Sequence, residues 1–91
     1  MTMMTDAYKV DGELVAQAIA DAGEKLHGTE DEIVLDFSAV RRIDPAALRS
    51  LEDLAAAAEE KPVKVIMRGV NVGIYKVLKL ARLTARFTIV G

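Results

Sequence analysis

The chain has 91 residues, no cysteine, no tryptophan, one histidine (His27) and a formal charge of −2. That length suits one domain with a single core, and the missing cysteines exclude disulfides and thiolate metal sites. A lone histidine cannot build a histidine metal centre or a base with its orienter, and two Tyr and two Phe leave few platforms for stacking single-stranded nucleic acid.

The longest uncharged runs, residues 14–20 and 69–75, have seven residues each, against the roughly 18 needed to span a bilayer. Residues 1–5 carry neither a basic region nor an apolar one, so no signal peptide is read there. The expectation is a cytoplasmic protein with a flexible N-terminus over residues 1–5 and one domain over 6–91. Charge is unevenly placed. Residues 1–60 hold all 14 acids and five bases, a formal −9, whereas residues 61–91 hold seven bases and no acid, a formal +7. Such an asymmetry steers a charged partner or favours head-to-tail association of copies, a possible homodimer; alternatively the two halves neutralise each other across the fold.

In chain order, residues 7–10 read as a short strand, and Asp11-Gly12 as a turn. From Glu13, Leu14, Val15, Ala18, Ile19, Ala22 and Leu26 recur with helical period, and His27-Gly28 offers a stop. Residues 32–37, with the run "IVLDF", form a second strand covered on at least one face by helices. A second helix runs over residues 45–60 with Leu48, Leu51, Leu54, Ala55 and Ala58 as its buried stripe, and Pro62 prevents its continuation. Residues 63–68 are the next strand. Gly69 permits a sharp turn and Asn71 caps a third helix, on which Ile74, Val77, Leu78 and Ala81 fall at i, i+3, i+4 and i+7. Residues 87–90 close the chain as a strand. Strand–helix units of this length require right-handed crossovers and hence parallel strands, a small α/β domain.

Asp36 and Asp44 stand at a strand's carboxyl end and the next helix's start, the edge where open α/β sheets bind ligands. Two carboxylates there suit a divalent cation or a phosphoryl acceptor, although no third acid, lysine or threonine completes a motif. Asp44 before Pro45 is also a favoured helix start, Asp at the cap and Pro at the first helical position. "RGVNVG", residues 68–73, raises a phosphate cradle but matches no nucleotide fingerprint. Lys76, Lys79, Arg82 and Arg86, with Arg68 before them, read as a solvated face near the helix's negative end or as a docking surface for an acidic protein partner; without base-reading polar side chains or a second helix they do not argue for nucleic acid. His27 reads as a surface residue and Tyr75 as packing. No nucleophile–base pair assembles, so the reading is not an enzyme.

"IVLDFSAVRRIDPAAL", residues 33–48, resembles the central signature of STAS domains, shared by sulfate transporters and anti-sigma factor antagonists. Leu35, Asp36, Phe37 and Ser38 match the strand end, and Val40, Ile43, Asp44 and Leu48 match further along. "DGEL" at residues 11–14 and "VKVIMRGVN" at 63–71 resemble the flanking segments, and the pattern from Gly69 to Leu80 resembles the STAS component of bacterial phospholipid-transport ABC systems. The resemblance covers about residues 8–90 and implies a small stand-alone member. It implies a mixed, mostly parallel sheet of about four strands packed by three to four helices, with no cofactor, no metal and no catalysis. Its implied work is docking on a protein partner, a kinase-type anti-sigma factor or the nucleotide-binding subunit of an ABC transporter, with no nucleic acid and no membrane span. The implied interface is Ser38, Asp44, Pro45, Ala46, Ala47, Arg49 and Ser50. In antagonist members a serine at the start of this helix is phosphorylated, and the added dianion breaks the contact. Here Ala46 occupies that position and has no hydroxyl, so phosphate cannot switch the contact there. Ser50, four residues on, and Ser38 are the substitutes to consider, although Ser50 reads as a plain surface serine and Asp44, Glu52 and Asp53 disfavour another anion there. A nucleotide- or metal-binding domain using Asp36, Asp44 and the Gly69 turn is the alternative from another class.

Overall fold

A computed structural model describes residues 7–26 and 32–90. Four strands, β1 (Tyr8–Lys9), β2 (Glu32–Asp36), β3 (Lys64–Arg68) and β4 (Thr88–Val90), alternate with three helices, α1 (Val15–Lys25), α2 (Pro45–Glu60) and α3 (Val72–Leu80). The expected N-terminal flexibility and the His27-Gly28 stop lie outside the described residues. The sheet order is β1-β2-β3-β4, and among the described residues every pairing is parallel. The mostly parallel sheet of four strands packed by three helices agrees with expectation; among the described residues each strand returns through a helix, and no two neighbours are joined by a hairpin.

Because each crossover steps to the next strand in the same direction, right-handed connections place all three helices on one face of the sheet. Burial follows that geometry. Ile33 and Leu35 of β2 and Val65 and Met67 of β3 join Ile19, Ala22, Leu51, Leu54, Ile74 and Leu78 of the helices in one core. Residues between them point the other way, where Val34 and Ile66 stay half-buried. On that outer face the register sets Glu32 opposite Lys64 and Asp36 opposite Arg68, on either side of the Val34–Ile66 pair. Opposite charges directly across a ladder stabilise pairing.

Two helical stripes differ from their expectation. Leu14 is 61% exposed, because it is the N-cap of α1 and lies outside the helical turn that faces the core. On α2, Leu48 is half-buried, whereas Ala47 is fully buried. The small Ala47 sits where the helix start presses closest to the core.

The last turn of α3 closes with Leu83 N–H donating to the Leu78 carbonyl at 2.8 Å. That closure holds Arg82 at φ +62°, the left-handed region that an L side chain occupies at a cost of ~1–2 kcal/mol and that glycine enters freely. Glycine loses more chain entropy on folding, roughly 0.5–1 kcal/mol. Arg82→Gly is therefore expected to raise unfolding stability by ~0.5–1 kcal/mol, read as a higher urea midpoint at unchanged m-value.

Candidate functional site

The loop from β2 to α2 sits at the carboxyl edge of the sheet and is fixed from three sides. Phe37 continues the strand, its N–H donating to the Arg68 carbonyl at 2.8 Å, and Val40 N–H turns back to the Phe37 carbonyl at 2.9 Å. Both side chains are buried, Phe37 fully and Val40 almost so. Gly12 lies against this loop so closely that a Cβ there would collide with the Ala39 carbonyl oxygen. Gly69, at φ +73°, presses on its other side, where a Cβ would stand 2.9 Å from the Ser38 backbone nitrogen. The third hold is Asn71. Its Oδ1 accepts from Ile74 N–H at 2.8 Å and so caps α3. Its Nδ2 donates to the carbonyls of Val40 at 3.3 Å and Arg41 at 3.1 Å.

From this clamped loop α2 begins. Asp44 has extended backbone (φ −89°, ψ 173°) and its Oδ1 accepts from Ala47 N–H at 2.8 Å, with Pro45 following at the first helical position. The cap is worth ~1 kcal/mol. Pro45, Ala46, Leu48, Arg49 and Glu52 line a shallow groove on the outer side of this helix start. Ala46 is exposed there, and half-buried Leu48 gives the groove an apolar floor. Ala47 supports the surface from within the core. Ser38 and Arg49 are exposed. Ser50 is half-buried and opens into a different groove, between α1 and α2, with Ala20, Gly23, Glu24, Asp53 and Ala57.

Asp36 and Asp44 do not form a pair. Asp36 belongs to the outer sheet face, away from the helices, where its Oδ1 accepts from Ser38 N–H at 2.9 Å and its Oδ2 lies 3.5 Å from the Arg68 guanidinium. Ser38, through its hydroxyl and its backbone N–H, holds the Asp36 carboxyl below the usual carboxylate range, and Arg68 adds to the effect. Asp44 caps a helix on the opposite face. Among the described residues no three His, Cys, Asp or Glu side chains gather to hold a metal ion. The Gly69 turn is filled by Ser38, so its glycine serves a close approach of backbone to backbone and leaves no cradle for a phosphate. The bridging role of Asn71 was missed by sequence reasoning, which found only its cap. No helix among the described residues is long and apolar enough to cross a membrane.

Two tests follow from this geometry. Asn71→Asp keeps the cap acceptor but has no N–H for the two carbonyls, so a loss of ~1 kcal/mol is expected; Asn71→Ala loses the cap as well, ~2 kcal/mol. Chemical denaturation of both variants checks the order. Asp36 is ionised more readily folded than unfolded, so its contribution is full above the unfolded carboxyl pKa of about 4 and fades as pH falls through the lower folded value. The stability gap between wild type and Asp36→Asn is expected to shrink from pH 7 to pH 3, measured by urea unfolding along that range.

The fold has solved counterparts. A protein of Thermotoga maritima provisionally named an anti-sigma factor antagonist superposes with a TM-score of 0.66 at 20% identity, over 96% of this chain and 74% of that one. Six solved chains match in all, whereas no curated protein sequence does. The model of the family described as "Mlab, STAS domain" matches residues 8–91. With a parallel four-stranded sheet, three helices and a match over almost its entire length, the chain belongs to the Mlab-type STAS domain family.

Proposed function

We propose that this domain is a non-enzymatic regulatory interaction module, resembling an anti-sigma factor antagonist, that docks on a protein partner through the start of α2 and the loop before it. The surface comprises Ser38, Asp44, Pro45, Ala46, Arg49 and Ser50, with Ala47 supporting it from below. One observation carries the reading: an exposed Ala46 beside a shallow, partly apolar groove, at the start of a helix whose preceding loop Gly12, Gly69 and Asn71 hold in one shape. A surface that is already rigid loses little conformational entropy when a partner covers it. Chemistry at this position would need a nucleophile or titratable group, and an alanine methyl offers neither.

Because Ala46 carries no hydroxyl, the contact is not switched by phosphate there. Ser50 is a poor substitute, since it opens into the α1–α2 groove beside Glu24 and Asp53, where a further dianion would be repelled. The partner is a kinase-type anti-sigma factor, bound without this off-switch. A second reading, favoured by the pattern from Gly69 to Leu80, makes the domain an accessory subunit bound to the nucleotide-binding subunit of an ABC-type lipid transport system. Both readings place the protein in the cytoplasm.

Ala46→Glu tests the surface. The exposed site tolerates the change, so the circular dichroism spectrum is expected to stay that of wild type. Affinity for the partner, identified by native co-purification and mass spectrometry, should fall at least ~10-fold, about 1.4 kcal/mol. Equal affinity of the two proteins would place the interface elsewhere, and phosphate mapped to Ser50 or Ser38 after incubation with ATP and a kinase-type partner would overturn the unswitched reading.

A further inference from the structure

The acidic first two thirds and the basic last third neutralise each other at few points. Among the described residues, ion pairs form between Arg68 and Asp36 and between Arg86 and Glu59. Lys76, Lys79 and Arg82 have no ionic partner among the described residues, and neither do Glu24 and Asp53. Two surfaces of opposite sign therefore remain on one molecule.

The basic surface is also apolar. Along the outer side of α3, Val72 is 71% exposed, Tyr75 42% and Leu80 87%. Leu80 stands among Lys76, Lys79 and Arg82, which share one concavity with it. Arg82 occupies the left-handed conformation in which glycine would be less strained. The acidic surface is the groove between α1 and α2, about 230 Å³ in volume. Its walls include the small residues Ala20, Gly23 and Ala57, its base the buried Ile19 and Leu54, and its rim Glu24 and Asp53.

We propose that the protein associates with further copies of itself head to tail: Leu80 of one copy enters the α1–α2 groove of the next, with Lys76, Lys79 and Arg82 facing Glu24 and Asp53. A second copy is the occupant that the charges single out, because the knob with its cations and the groove with its carboxylates are both present on every molecule. Burial of Leu80 supplies the affinity, and the rim charges orient the approach and exclude the reverse arrangement. The two contacting surfaces differ, so the contact is heterologous and each added copy presents a fresh knob and a fresh groove. The inference does not depend on docking at the start of α2, although Ser50 borders both surfaces.

Sedimentation of the full chain between about 10 μM and 1 mM at low salt is the test, with association strength read on the scale where tenfold is about 1.4 kcal/mol. The average mass of wild type is expected to rise past that of a dimer. Leu80→Glu and Lys79→Glu break the knob, and Asp53→Lys breaks the groove; each should weaken association at least ~10-fold. All three sites are exposed, so folding is expected to persist, checked by circular dichroism. An equimolar mixture of Leu80→Glu and Asp53→Lys should yield a discrete dimer that grows no further, because one intact knob meets one intact groove. A wild type that stays monomeric at the highest concentration, association unaffected by the knob variants, or a mixture without dimer would each overturn the proposal.

Discussion

The Asn71 side chain is the constraint on which the carboxyl edge of the sheet depends. One amide performs two tasks at once: its oxygen starts α3, and its nitrogen grips the loop from which α2 starts. Two helix beginnings are thus set relative to each other by a single planar group. Gly12 and Gly69 complete the arrangement by lacking a side chain, since a Cβ at either position would push the loop outward. The start of α2 stands on this support, and the exposed position of Ala46 follows from it.

Winding in one direction explains how the charged groups are distributed. With the three described helices on one face, β2 and β3 each present a buried side and a half-covered side, and the second carries the Glu32–Lys64 and Asp36–Arg68 pairs. Parallel sheets are commonly covered on both faces; here the outer face combines a short apolar pair with flanking charges. Asp36 belongs to that electrostatic ladder. The helical layer has a separate division, an acidic side on α1 and α2 and a basic side on α3, bridged between α2 and the approach to β4 by Arg86 and Glu59 at 2.7 Å.

What the sequence made legible was local chemistry. Asp44-Pro45 is a helix start written in adjacent residues, and its bounds, Pro45–Glu60, hold in the structure. The spacing of Ile74 and Leu78 announced the buried side of α3 in the same way. The bridge from Asn71 to Val40 and Arg41 spans 31 and 30 residues, and no short pattern records so distant a partner. The separation of Asp36 from Asp44 required both the pleat of β2 and the side chosen by α2, which proximity in sequence conceals. Leu14 and Leu48 read as core because leucines at helical spacing usually are; a helix beginning only at Val15, and an alanine buried in place of its leucine neighbour, altered the outcome.

The all-parallel connectivity has a consequence for how the molecule forms. Paired residues are 27 positions apart between β1 and β2 (Tyr8 and Leu35), 32 between β2 and β3 (Ile33 and Val65) and 22 between β3 and β4 (Ile66 and Thr88). No strand pair can therefore zip up from a tight turn; each must wait until an entire helix-containing loop has closed. The entropy of closure rises only slowly with loop length, but it is lost before any ladder bond forms. Formation of this small domain is accordingly governed by chain closure, and helices that assemble early shorten the search by bringing the strand ends together.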